Sequence, residues 1–134
     1  MAKYGSGSAS ISVDDSGGTV RDLSQYIDTV NGLRVESLLV DPSHTFGDTW
    51  VERLDTAVKQ HADVTIEGWF DDTATSGPHV VLGTTGGTQR TLTYNPGGSN
   101  SRNVECYIRS YEILMTRSEM SRYRAVLAPT GAVT

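Results

Sequence analysis

The sequence predicts a mainly β domain with one short helix. Three observations carry this. First, Asp63–Asp72 and Val104–Met115 alternate in hydropathy with a period of two and are rich in β-branched and aromatic residues. Second, clusters of Gly, Asn, Asp and Pro punctuate the chain at Asp14–Gly18, Gly86–Gly87 and Asn95–Ser101. Third, only Pro78–Leu82 has the marks of a helix, with proline in its first turn and Gly83 past its end.

The 134 residues suit one domain, and 37% of them are apolar, enough for a core. No run of about 18 apolar residues exists, so no membrane-spanning helix is expected. The first ten residues lack the apolar stretch of a secretory signal. Cys106 is the single cysteine, which excludes an intrachain disulfide, and its place in an alternating strand makes it a small buried hydrophobe. Net charge is −5, from 16 acidic and 11 basic side chains. A chain that grips nucleic acid electrostatically carries a basic patch. Strand alternation scatters the arginines from Arg102 to Arg124 instead of gathering them.

In chain order, residues 1–8 form a Gly/Ser-rich arm with little to bury. Ile11 and Val13 start a strand, and Asp14–Gly18 turns it. Residues 19–32 admit two readings. Val20, Leu23, Ile27 and Val30 make a helical stripe ending at Asn31-Gly32; the same letters permit a hairpin return over Thr19–Asp22 and then one helical turn at Leu23–Ile27. Leu33–Asp41 is a strand, whose run Leu38-Leu-Val40 predicts burial on both faces, and Pro42 ends it. Residues 42–61 lack a period and read as a long loop, a length that is commonly functional. Its aromatics, Phe46 and Trp50, either fold back onto the domain or are buried by a partner.

The strand around Val64–Phe70 puts Val64, Ile66 and Phe70 on one parity and Asp63, Thr65, Glu67 and Trp69 on the other, with Gly68 a candidate bulge. Thr73–Gly77 is a loop, and Arg90–Tyr94 a strand. In the next strand Val104, Cys106 and Ile108 alternate with Glu105, Tyr107, Arg109 and Tyr111. A last strand runs to about Ala128, and 129–134 is a tail. No internal repeat is visible.

Catalytic and cofactor chemistry finds no support. His44, His61 and His79 share no metal-ligand spacing. Gly83–Thr88 lacks the Gly-Lys-Ser/Thr ending of a phosphate loop. Asp71 and Asp72 are adjacent, so on a strand they point apart.

The ordered set of Asp14-Asp-Ser-Gly-Gly-Thr19, Arg21–Ile27, Thr45-Phe-Gly-Asp48, Val64–Asp72, His79–Leu82 and Thr130–Thr134 resembles the major tail tube proteins of long-tailed, siphovirus-like bacteriophages. The resemblance spans nearly the whole chain, though each piece alone is a common turn or strand. It departs from the usual pattern where Asp41-Pro-Ser-His44 precedes Thr45-Phe-Gly. It implies a β-sandwich or partial barrel with one flanking helix, in a structural virion protein that is no enzyme and needs no cofactor. Subunits of that family form hexameric rings, whose strands join into one β-barrel. The rings stack around a tape-measure protein into the conduit for DNA ejection, bounded by a tail terminator and distal tail or baseplate proteins. The implied location is the virion tail, after synthesis in the host cytoplasm. Related alternatives are a terminator or baseplate ring protein; a carbohydrate-binding β-sandwich using Trp50 and Trp69 is a different class.

The resemblance and the strand parities together single out two sets of residues. Glu36, Asp63, Glu67 and Glu105, each on the polar parity of its strand, are expected to face the lumen. Phe46, Asp48, Trp50 and Arg53 are expected to contact a neighbouring subunit.

Overall fold

The computed structural model describes residues 3–42, 46–47, 49–50, 52–85 and 87–134. Nine strands are present among the described residues: β1 (Ser10–Asp14), β2 (Val20–Asp22), β3 (Ile27–Asn31), β4 (Val35–Val40), β5 (Leu54–His61), β6 (Val64–Trp69), β7 (Arg90–Asn95), β8 (Arg102–Leu114) and β9 (Arg122–Thr130). Seven form one antiparallel sheet in the order β2-β1-β7-β8-β9-β6-β3, and β4 and β5 form a separate hairpin. The helix α1 spans Pro78–Leu82, as its proline and glycine signals predict.

The ends of this sheet are tied together by a very short piece of chain. Seven strands about 4.8 Å apart, laid flat, would hold their edges roughly 29 Å apart. Asp22 ends one edge strand and Ile27 begins the other, and five peptide links reach at most about 18 Å. The sheet therefore curls into a partial barrel. The bridge is a 3-10 turn at Ser24–Tyr26, anchored on both sides. Leu23 donates its N–H to the Ile11 carbonyl (3.0 Å), Ser24 Oγ accepts from the Ile11 N–H (3.0 Å), and Tyr123 donates its hydroxyl to the Tyr26 carbonyl (3.2 Å). The hairpin reading of 19–27 thus holds over the helical stripe, and Ile27–Asn31 is a strand that the stripe concealed.

The core fills the inside of the curl. Alternate residues supply it: Ile11 and Val13, Leu92, Val104, Cys106 and Ile108, Tyr123, Ala125 and Leu127, Val64 and Ile66. Leu23 enters from the bridge, and Val81 and Leu82 enter from α1. Burial pushes the Cys106 thiol up to about 12, so it stays a neutral hydrophobe. Arg90 is buried among them. Its guanidinium donates to the carbonyls of Val81, Thr84 (3.3 Å) and Asp14 (3.4 Å), supplying the end of α1 with donors and a positive charge.

Several details differ from expectation. Leu38, Leu39 and Val40 are exposed on both faces, because β4 pairs only with β5 and leaves the body. Leu54–His61 is a strand and not loop. A strand that buries neither face needs no alternation, so it left no period to read. Gly68 carries no bulge; the irregularity falls on its partner β3, between Ile27 and Thr29. Beyond a bulge at Ile108/Ser110, the inward parity of β8 switches from even to odd. Tyr111 consequently packs against the core, its ring stacked 6.0 Å from that of Tyr123. At the chain ends, Tyr4 lies over Gly97 and Gly98, and Thr134 exchanges two 2.9 Å backbone hydrogen bonds with Asn103.

Gly68 is required for a different reason. A Cβ there would sit 1.9 Å from the Tyr26 carbonyl oxygen, against the bridge that closes the barrel. Gly68→Ala should lower unfolding stability by more than about 2 kcal/mol. Gly5→Ala, which meets no atom within 4 Å, should stay within about 0.5 kcal/mol. Chemical denaturation of the two variants checks this.

Candidate assembly surfaces

Three surfaces are left open by this fold. The first is the β4–β5 hairpin. No described residue from Val35 to Gln60 is buried. Val35, Leu38, Leu39, Val40, Leu54 and Val58 are all exposed large apolar side chains. A bulge bends the hairpin: Ser37 faces Lys59 while Leu39 faces Asp55, and Ala57 takes a positive φ of 62°. Thr56 Oγ1 donates to the Leu38 carbonyl (2.7 Å), and Asp55 accepts from the Ala57 N–H (2.9 Å), fixing the kink. An isolated two-stranded hairpin is marginal in water, and exposed apolar surface of this kind marks a candidate interaction site.

Three of the four sequence-expected contact residues, Phe46, Trp50 and Arg53, are described, and they fall in the connection between β4 and β5. Phe46 is fully exposed and Trp50 is 84% exposed. Arg53 pairs with Asp41 across the hairpin at 3.2 Å, with both side chains mostly in water. Asp48 lies outside the described residues, as do His44 and Thr45.

The second surface is the seam of the barrel. Among the described residues β3 is paired only with β6, which leaves its other margin without a strand neighbour. A groove of about 840 Å³ runs beside it, lined by Tyr4, Ile11, Ile27, Val30, Leu33 and Tyr94 among others.

The third is the solvent face of β3, β6, β9 and β8, which carries a ladder of charges. Glu67, Arg124 and Glu112 lie side by side across three strands. Arg124 Nε donates to Glu67 (2.6 Å) and Nη1 to Glu112 (2.8 Å). One rung along, Arg122 donates two 2.8 Å bonds to Asp28 and lies 4.6 Å over the Trp69 ring. Arg109 pairs with Asp63 at 3.2 Å. The Arg122 hydrogen bonds hold the Asp28 carboxyl below the usual carboxylate range, and Glu67 raises the Arg124 guanidinium further.

Of the four carboxylates expected in a lumen, Glu67 and Glu105 share this face. Asp63 stands just before β6 at its margin, and Glu36 is apart, on the hairpin, paired with Arg34 at 2.6 Å. Glu105 accepts from the Thr91 hydroxyl at 2.6 Å. Sequence reading missed Asp28, Glu112, Arg122 and Arg124. Their pairing needs the β3-β6-β9-β8 order, and for Glu112 the bulge that turns it outward. No group of three or more His, Cys, Asp or Glu that could hold a metal exists among the described residues.

The fold has known counterparts. A chain in the sixfold-symmetric tail of an empty gene transfer agent particle superposes with a TM-score of 0.65 at 19% identity, covering 99% of this chain and 98% of its own. A chain of the anti-feeding prophage baseplate gives 0.62 at 6% identity, covering 100% and 95%. A chain from the structure of an extracellular contractile injection system's sheath/tube terminator in the extended state gives 0.60 at 12%, covering 100% and 96%. The fold is a phage-like tail fold. No protein-family model matches the sequence, and neither does any curated protein.

The acid response of the ladder is set by the sign of its shift. A depressed carboxylate contributes stability that is fully present above its unfolded pKa and is lost as pH falls through its folded one. The melting temperature should therefore hold from pH 7 to about 5 and fall below about 4. Asp28→Asn should lower stability at pH 7 by no more than about 1 kcal/mol and flatten the fall. Thermal melts across pH for both proteins check this.

Proposed function

We propose that this chain is a structural subunit of a phage-type tail, that six copies close into a ring, and that rings stack into a tube through which DNA leaves the particle. The observation that carries the reading is the β4–β5 hairpin, whose six large apolar side chains are exposed and which has no buried residue from Val35 to Gln60 among the described residues. Copies of the same chain, set in a ring and a stack, would cover those side chains. Burial of each large side chain would contribute roughly 1.5–3 kcal/mol. The sixfold symmetry of two of the matched particles supports the ring size. In this reading Phe46, Asp48, Trp50 and Arg53 meet a neighbouring subunit, in the same ring or the next.

The assembly fits a long-tailed, siphovirus-like particle. The tube would form around a tape-measure protein, end at a tail terminator and meet distal tail or baseplate proteins. Subunits would be made in the host cytoplasm and end in the virion tail. The lumen would be lined by the solvent face of β3, β6, β9 and β8, which includes Asp63, Glu67 and Glu105. Glu36 sits on the hairpin and would reach the lumen only where the hairpin extends that wall. Six subunits of −5 give roughly −30 per ring, a charge that keeps phosphates off the wall within a reach of about 8 Å. No helix among the described residues is long and apolar enough to cross a membrane. A terminator is the second reading, favoured by the match to the structure of a sheath/tube terminator. It would stop at one ring where a tube protein stacks many.

Electron microscopy of the purified protein should show tubes with sixfold cross-sections; single rings would favour the terminator, and monodisperse monomers would remove both readings. Phe46→Ala with Trp50→Ala should cut tube length or yield by at least about tenfold, because two aromatic anchors are lost, while leaving the β-sheet circular dichroism unchanged. If the double variant polymerises normally, the hairpin tip is not the contact. Glu112→Cys in assembled tubes should react with a small maleimide but resist a bulky polymer-linked one, which cannot enter a narrow bore. Free labelling by both would put this face on the outside.

A further inference from the structure

The charge ladder has a property that goes beyond acidity, and it rests on the conduit reading above. We infer that its carboxylates serve to mask arginines, so that the face turned toward nucleic acid contains cations yet gives phosphate nothing to hold. Three arginines, Arg109, Arg122 and Arg124, stand on or beside this face, and four carboxylates, Asp28, Asp63, Glu67 and Glu112, are bonded to them. A bare guanidinium is the side chain best suited to a phosphate, because its planar fork of donors matches two oxygens.

Two of these guanidinium groups, those of Arg124 and Arg122, are already engaged by hydrogen bonds, while Arg109 meets Asp63 through Nε at 3.2 Å. Arg124 is held from both sides, through Nε by Glu67 and through Nη1 by Glu112, so the trio carries a net negative charge. Arg122 spends both Nη groups on Asp28 at 2.8 Å, and the indole of Trp69 covers its flat side at 4.6 Å. A phosphate that displaced either partner would leave a carboxylate beside it, so displacement gains no counterion release. The arginines in turn are what permit the carboxylates. Glu67 and Glu112 flank Arg124 on the two neighbouring strands, and carboxylates brought this close without a cation between them would repel. The arrangement keeps the wall intact and slightly negative without a grip on the polyanion that slides past.

The test uses the single chain and a short fluorescent DNA duplex, so it does not depend on tubes forming. Glu67→Gln with Glu112→Gln releases Arg124 while keeping amides that can still hydrogen-bond. At about 50 mM salt this variant should bind the duplex at least threefold more tightly than the wild type, with a log–log salt slope steeper by about 1, the signature of one added phosphate contact. Adding Arg124→Gln should return binding to within about twofold of the wild type although the net charge remains more positive. Asp28→Asn, which releases Arg122, is the independent second variant and should show the same gain. Masking is overturned if both variants melt like the wild type yet bind no more tightly, or if the triple variant keeps the gain, since charge alone would then explain it. Failure of the wild type to form tubes in the microscope would overturn the conduit reading instead, and leaves the binding comparison standing.

Discussion

The closure of the sheet by five peptide links is the constraint on which the rest of the molecule depends. Asp22 and Ile27 belong to opposite edges of a seven-stranded sheet, and the chain between them is too short to let those edges part. Curling is the result, and with it come an inside and an outside. Every strand of the main sheet is sorted by that division. Gly68 shows how tight the closure is, because the bridge carbonyl of Tyr26 occupies the place where a side chain would begin.

Closure also separates what the chain satisfies alone from what it leaves undone. The barrel interior is packed, with Arg90 completing the end of α1 from within. The hairpin takes no part in this. Its strands depart between β3 and β6 and add no residue to the core, although they carry six exposed large apolar side chains between Val35 and Val58. Cost and return therefore fall in different states. The separate chain bears the unfavourable hydration of that surface, and an assembly would recover it.

Electrostatics divide along the same lines. The outer face is rich in charge yet nearly self-neutralised: Arg124 is paired with carboxylates on both neighbouring strands, and Arg122 reaches across β6 to Asp28 on β3. Exposed pairs of this kind contribute little to stability. Their consequence lies in what the surface presents to a passing ion: a mosaic whose cations are already engaged. Net charge read from composition is negative; the pairing shows that the arginines displayed on this face stand beside carboxylates.

Much of the fold was legible in the letters. The alternation in β6 and β8, the turn at Asp14–Gly18 and the proline and glycine around α1 are local signals, set by the period of the strand and the conformational limits of those two residues. The aromatics Phe46 and Trp50 could likewise be recognised as out of place on a free loop, and they are exposed. β5 was not legible, since a strand with two exposed faces carries no binary pattern. Nor was the phase of β8 past Ile108, where one bulge moves Tyr111 inward and Glu112 outward. What the sequence determined by itself was therefore its β character, its punctuation and its net charge, all of which depend on residues close together in the chain. Only the tertiary structure decided which charges meet, because Glu67, Glu112 and Arg124 come from three strands and become neighbours through sheet order and register. It also decided that the hairpin stands uncovered, since burial depends on where the body ends and no stretch of letters encodes that boundary.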